Sequence, residues 1–210
     1  MASGLKPAQW NSGDVTAPDA DVEAARAFYE QRGADWGVRV PAGMPWDHGR
    51  RLLTLELMAL APENFAPVAT PGESIAVRAA TRADLDVVVA IDAAAFENDP
   101  ADGRPWLAPH FDAPTITTAL ATLDGEPAGT GFAIRTDGRA GPALYLAGVA
   151  VHPDARRRGV GAALSSWLVE RGLETGAQFV HLHADNDDAA RVYARLGFVR
   201  APALDVYIDL

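Results

Sequence analysis

The run at residues 145–162, YLAGVAVHPDARRRGVGA, decides how the rest of the chain is read. It begins as a long apolar segment, turns at His152-Pro153, and then sets Arg156, Arg157 and Arg158 against a Gly159-Val160-Gly161 turn. A helix N-terminus gathers unpaired N–H groups and a partial positive charge, so a phosphate can sit there if the backbone comes close enough. Glycines at 159 and 161 lack the Cβ atoms that would obstruct that approach, and three forked, always-charged guanidinium groups stand beside them. The stretch reads as a site for a large anion. Taken alone, a solvated arginine loop with turn-forming glycines accounts for the same residues equally well.

Charge narrows the identity of the anion. The net charge is -10, and neither half of the chain is basic: residues 1–74 hold 6 basic and 10 acidic side chains, residues 75–210 hold 12 and 18. Nucleic acid is therefore not expected as a partner. At 210 residues and 49% hydrophobic content, the chain can bury one substantial core, or a small domain packed on a larger one. The absence of cysteine removes disulfides, thiolate metal sites and a cysteine nucleophile together. The opening MASGLKPAQWNSGD has no signal-peptide succession, and no apolar run approaches the ~20 residues of a bilayer span. The expectation is a cytoplasmic protein with no membrane partner.

Outward from the anion turn, periodicity predicts an apolar strand at 143–151, a helix at 160–174, a strand at 179–184, a helix at 187–196 and a final strand at 203–209. Upstream, a strand at 75–78, a helix at 82–96 and a hairpin at 117–136, turning at Asp124-Gly125, are expected. Antiparallel strands feeding a strand-helix-strand crossover indicate a mixed α/β sheet. Residues 64–74, with two prolines and a glycine, read as a linker, which splits the chain near residue 73. Before it come a helix at 18–32, a strand at 36–40 and a strand at 52–60.

Other phosphate loops fit poorly. Gly-Lys-Ser/Thr is absent, the partner motifs of a kinase glycine loop are absent, and a dinucleotide fingerprint would need glycine where Leu164 stands. Arg156, Gly159 and Gly161 do meet the pattern Arg/Gln-x-x-Gly-x-Gly/Ala. Asn186-x-x-Ala189-x-x-x-Tyr193-x-x-x-Gly197-Phe198 follows downstream, in the right order and with the expected strand-helix-strand between the two motifs. On these two motifs, residues of about 75–210 resemble the GCN5-related N-acetyltransferases (GNAT).

That resemblance implies a mixed, mostly antiparallel sheet with splayed central strands and flanking helices, at 74–210, preceded by a small α/β segment at 1–73. It implies an N-acetyltransferase that uses acetyl-CoA as co-substrate and no metal, acting by direct attack in a ternary complex on a primary amine of a small molecule or peptide. A homodimer is compatible with this reading. Carried over, Val149, Ala150 and Val151 contact pantetheine, and the Val149 N–H donates to the thioester carbonyl. Backbone amides of Arg157, Arg158, Gly159, Val160, Gly161 and Ala162 hold the pyrophosphate, with the Arg156, Arg157 and Arg158 side chains around it. Asn186 caps its helix and bonds the CoA chain. Tyr193 is the general acid for the departing thiolate, since a phenol near ~10 and a thiol near ~8.5 can share a proton.

Many relatives carry a glutamate on the strand that here reads Leu146-Ala147-Gly148, so the base for the incoming amine is unassigned among Glu97, His110 and a water relay. A non-catalytic acyl-CoA-binding module is the first alternative. A zinc hydrolase is the second, because His181, His183 and Asp185 alternate on one strand, although no histidine follows His183 to complete a metal site. Residues 1–73 resemble a truncated half of a second acetyltransferase unit without the Arg-x-x-Gly-x-Gly motif. They are expected to cover a sheet edge or the acceptor cleft of the active unit, or to be a plain structural extension.

Overall fold

The computed structural model describes residues 8, 11–68, 74–138 and 141–210, and the chain divides into two compact units. One contains the residues through Leu57 together with Arg200–Leu210; the other is Met58–Val199. In chain order the elements begin with β1 (Ser12–Asp14), α1 (Val22–Glu30), β2 (Gly37–Pro41), β3 (Arg50–Leu55), β4 (Leu57–Leu60), β5 (Ile75–Ala79), α2 (Leu85–Phe96) and α3 (Pro100–Leu107). They continue with β6 (Ile116–Leu123), β7 (Glu126–Gly138), β8 (Gly141–Val151), α4 (Val160–Glu174), β9 (Phe179–His183), α5 (Asp187–Arg195), β10 (Val199–Arg200) and β11 (Leu204–Ile208).

The first unit is a four-stranded sheet in the order β1-β2-β11-β3, with β1 parallel to β2 and β11 antiparallel to both of its neighbours. Val15, Val38 and Val40 form its core, with Trp36, Trp46 and Tyr207 packed against them. Helix α1 starts at Val22, not at residue 18, because the Asp21 carboxylate accepts from the Ala24 N–H at 2.9 Å and so fixes the N-cap. Tyr29 from its last turn stacks on Trp36 with ring centroids 5.1 Å apart.

The second unit is a seven-stranded sheet, β10-β4-β9-β8-β7-β6-β5. The pairs β5–β6, β6–β7 and β7–β8 are antiparallel, and β8 and β9 are parallel. Between β6 and β7 the chain turns through Asp124 (φ 54°) and Gly125 (φ 89°), two left-handed residues whose twist suits a tight hairpin. Helix α4 covers one face: its Val160, Leu164, Leu168 and Val169 are buried with Leu144 and Leu146 of β8 and Val180 and Leu182 of β9. Helix α2 covers the other, packing Leu85, Val88 and Val89 with Phe132, and Ile91 with Leu120 and Ala150. Among the described residues no helix is long and apolar enough to cross a membrane.

Three expectations are corrected. The chain does not divide near residue 73: Met58 and Leu60 are buried in the second unit's core, and Phe65 and Val68 pack on it. The Val68 N–H donates to Ser166 Oγ at 3.1 Å and the Ala66 N–H to the Leu196 carbonyl at 3.0 Å. The boundary is therefore Leu57/Met58, while residues 69–73 of the expected linker lie outside the described residues. The segment 52–60 is two strands, parted at Glu56, which join different sheets. The final strand forms, but as β11 it belongs to the first unit's sheet, where it fills the place between β2 and β3. In addition, residues 100–107 form α3 despite Gly103 and Pro105. Asp99 caps the helix by accepting from the Ala101 N–H at 2.8 Å, and Pro100 occupies its first turn.

Candidate active site

Two parallel strands that begin paired and then part create the site. The β8–β9 ladder consists of Ala143↔Phe179, Leu144↔Val180 and Tyr145↔His181, and it ends there although β8 continues to Val151. From Leu146 onward, the β9-facing backbone edge of β8 has no ladder partner among the described residues. On its other side β8 carries a bulge: Phe132 pairs with Ala147 and Thr130 with Ala150, so Gly131 faces both Gly148 and Val149. Gly148 sits at φ 57°, and a Cβ there would overlap the Phe132 ring. The extra residue shifts the alternation of β8, which puts Val149 and Val151 against the α4-side core where Leu144 and Leu146 pointed before it.

The parted strands open a cleft of about 520 Å³ lined by Val149, Ala150 and Val151 of β8, Ala95 and Phe96 of α2, Gly161 and Ser165 of α4, and Asp185, Asn186, Ala189 and Tyr193. A second compartment of about 490 Å³ shares Val151, Arg156 and Gly161 with it. It continues along Arg157, Gly159, Val160 and Ala162 to Arg191 and Arg195 of α5. The turn between them is built from left-handed residues, Arg157 at φ 60° and Gly159 at φ 92°. Gly159 is the N-cap of α4 and offers no side-chain acceptor, so the first-turn amides of this 15-residue helix have no side-chain cap. Helix α5 differs, because Asn186 Oδ1 accepts from the Ala189 N–H at 3.0 Å. Asn186 thus both caps α5 and lines the cleft.

The three arginines take different roles. Arg156 Nη2 donates to the Ala95 carbonyl at 2.8 Å and ties the end of α2 to the turn. Arg158 Nη2 lies 2.9 Å from Asp124 Oδ2 in an exposed ion pair with the β6–β7 hairpin, and it lines neither compartment. Arg157 lines the second compartment and has no hydrogen bond or ion pair among the described residues. The sequence reading set all three guanidinium groups around one anion; Arg156 and Arg157 line the second compartment, and of the two only Arg157 has no partner among the described residues.

Tyr193 is buried and close to the parted strands, with its ring 5.8 Å from that of Phe198. Burial pushes its hydroxyl up to about 12, the nearby Asp185 charge adds to the rise, a hydrogen bond with Ser165 offsets part of it, and Tyr145 contributes a further small rise. The phenol is therefore held protonated, ~3 to 4 units above an ordinary thiol, instead of nearly matched to it as the sequence suggested.

Of the groups considered as base, Glu97 is the exposed, left-handed C-cap of α2 and lines neither compartment. His110 is 6% exposed and wedged between Phe132 (4.4 Å) and Trp106 (5.4 Å), its Nδ1 unpartnered, and burial lowers it to about 4. His181 stacks on Tyr145 at 5.0 Å, and His183 Nδ1 lies 3.7 Å from Asp185 Oδ1. Among the described residues no three histidine, aspartate or glutamate side chains converge as a metal site. Asp185 and Asp188 both line the main cleft, a feature the sequence reading did not single out.

A parted parallel strand pair, a bulged strand edge and an uncapped helix N-terminus thus border two adjoining compartments that share Val151, Arg156 and Gly161. A protein-family model for the acetyltransferase (GNAT) family matches residues 85–198, and the chain belongs to that family. It is 31% identical over 205 residues to mycothiol acetyltransferase of Actinosynnema mirum, covering 81% of this chain and 66% of that protein. It is 30% identical over 152 residues to an uncharacterized protein of Mycobacterium leprae, covering 70% of this chain and 41% of that one. The chain thus spans about two thirds or less of the length of these curated relatives. Among solved structures, a GCN5-related N-acetyltransferase from Kribbella flavida superposes with a TM-score of 0.69 at 21% identity, covering 95% of this chain and 81% of that one, which bears on the fold alone.

Proposed function

We propose that the second unit transfers an acetyl group from acetyl-CoA to a primary amine of a small molecule or peptide, by direct attack within a ternary complex. The observation that carries this reading is the end of the β8–β9 ladder at Tyr145↔His181, with Val149–Val151, the α4 N-terminus and Tyr193 lining the space it opens. In this reading the pantetheine arm lies along Val149, Ala150 and Val151. The pyrophosphate meets the amides of residues 157–162 and the free Arg157 side chain. The Val149 N–H faces the thioester oxygen, where negative charge grows as the amine adds. Tyr193, fixed in its protonated form, hydrogen-bonds to the leaving sulfur and transfers its proton only as the C–S bond breaks. Even to the fully formed thiolate that transfer alone is uphill by roughly 5 kcal/mol, so it is coupled to the return of a proton from the nitrogen.

The name of the Actinosynnema mirum relative puts a mycothiol-type acceptor in the panel to be tested, beside amino acids, aminoglycosides and peptides. Release of free thiol from acetyl-CoA reads turnover, and calorimetry reads binding. The expected result is thiol release with at least one acceptor. Tyr193→Phe should lower kcat about 10²-fold or more with little change in acetyl-CoA affinity. Equal loss of both would make Tyr193 a packing residue. Tight binding without thiol release from any acceptor would identify a binding module in place of an enzyme.

A further inference from the structure

An ammonium ion must lose a proton before its nitrogen can attack, and β8 offers Leu146, Ala147 and Gly148 where a carboxylate would serve that purpose. The end of β9 supplies what β8 lacks. Phe179, His181 and His183 occupy one face of β9, alternating with Val180 and Leu182, which point into the α4-side core. His183 therefore stands on the face of the sheet opposite α4, beyond the His181–Tyr145 stack and past the end of the β8–β9 ladder, next to the cleft but not lining it. Its side chain is 29% exposed, and its Nδ1 lies 3.7 Å from the Asp185 carboxylate. Asp185 in turn lines the cleft with Val149 and Tyr193. The Asp185 charge is felt at the Tyr193 hydroxyl, in keeping with both side chains lining one cleft.

We infer that His183 is the general base for the incoming amine and that Asp185 is its positioning residue, orienting the imidazole and drawing the ammonium group into the cleft. The inference rests on the acetyltransferase reading above. With Nδ1 turned to Asp185, Nε2 of the neutral ring takes one proton from the ammonium group. The freed nitrogen lone pair forms the C–N bond to the thioester carbonyl carbon. As the C–S bond breaks, sulfur leaves with its electron pair and takes the Tyr193 proton, which Tyr193 regains from the second proton of the nitrogen. His183 passes its proton to water, so the products are an amide, a free thiol and one proton.

Two small nucleophiles separate this role from a structural one. Methylamine is an ammonium ion at pH 7 and needs a base; hydroxylamine is largely neutral there and does not. Both are tested as acceptors with the full chain and acetyl-CoA at pH 7, with the uncatalysed rate subtracted and acetyl-CoA affinity measured in parallel. Relative to the wild type, His183→Gln should lower the methylamine-to-hydroxylamine ratio of kcat/KM by about 10²-fold, within the range a lost general base commands. Asp185→Asn should lower it in the same direction by a smaller factor, and it carries the test if His183→Gln no longer binds acetyl-CoA. An unchanged ratio in the variants overturns the base assignment while leaving the transferase reading standing. A wild type that binds acetyl-CoA and accelerates neither nucleophile overturns both.

Discussion

Replacing Gly148 by alanine tests whether the β8 bulge shapes the site. Two costs can be worked out separately. A non-glycine residue at φ 57° costs ~1–2 kcal/mol of backbone strain. The added methyl group also meets the Phe132 ring in the packed layer between β7 and α2, and overpacking of that kind costs ~1–3 kcal/mol. Gly148→Ala should therefore destabilise the protein by ~2–5 kcal/mol, a large share of a typical ~5–15 kcal/mol total. Gly125→Ala is the control: Gly125 is also left-handed, at φ 89°, but nothing lies within 4 Å of its added Cβ, so only the first cost applies. Urea unfolding of the two variants measures the difference. Because the bulge sets the direction of Val149 and the strand edge beyond it, acetyl-CoA affinity should also fall by about tenfold or more in Gly148→Ala, the equivalent of one lost contact. If Gly148→Ala is no less stable than Gly125→Ala and binds acetyl-CoA as the wild type does, the bulge does not shape the site.

The arginines should separate by the same logic of partners. Arg157→Glu should weaken acetyl-CoA binding by about tenfold or more and flatten its salt dependence, whereas Arg158→Glu, whose side chain is spent on Asp124, should change affinity little; equal losses by calorimetry would refute the assignment. Stability against pH should show two opposing desolvated groups, the half-buried Asp92 and the buried His110. Burial raises Asp92 to about 6, so its contribution is full below ~4 and is lost as pH rises through 6. Burial lowers His110 to about 4, so its contribution is full above ~6.5 and is lost as pH falls through 4. The two oppose each other and leave the wild type nearly flat between pH 4 and 6.5. In Asp92→Asn, urea melts over that range should show stability rising with pH, and a curve parallel to the wild type would mean that Asp92 is not desolvated.

The second unit was legible because its signals are local. Strand and helix periods, the Asp124-Gly125 turn and the two spaced motifs each lie within a dozen or so residues of their own evidence. The exchange of strands was not legible. Leu53, Leu55 and Leu57 continue one alternation through Glu56, so nothing in the pattern shows β3 and β4 joining different sheets. Likewise, β11 has the composition of any half-buried strand, and only its register against Pro41–Gly37 and Leu55–Arg50 assigns it to the first unit. Pairing partners about 150 residues or more apart leave no mark on hydrophobic period, because the period records which face is buried and not what lies beside the edge.

The same distinction runs through the site. Features that depend on backbone geometry could be read in advance, since glycine at 159 and asparagine at 186 announce an uncapped and a capped helix start. Features that depend on a side chain's partner could not. Three adjacent arginines look equivalent until Ala95, 61 residues away, takes one and Asp124, 34 residues away, takes another. A tyrosine at motif spacing looks like an ordinary phenol until burial and Asp185 raise it to about 12. That rise constrains the chemistry, because a phenol held protonated cannot take the first proton from the ammonium group. That proton goes to a separate group, and Tyr193 takes only the second, after giving its own to sulfur. His183, 3.7 Å from the cleft-lining Asp185 and just past the end of the β8–β9 ladder, is the group inferred for it.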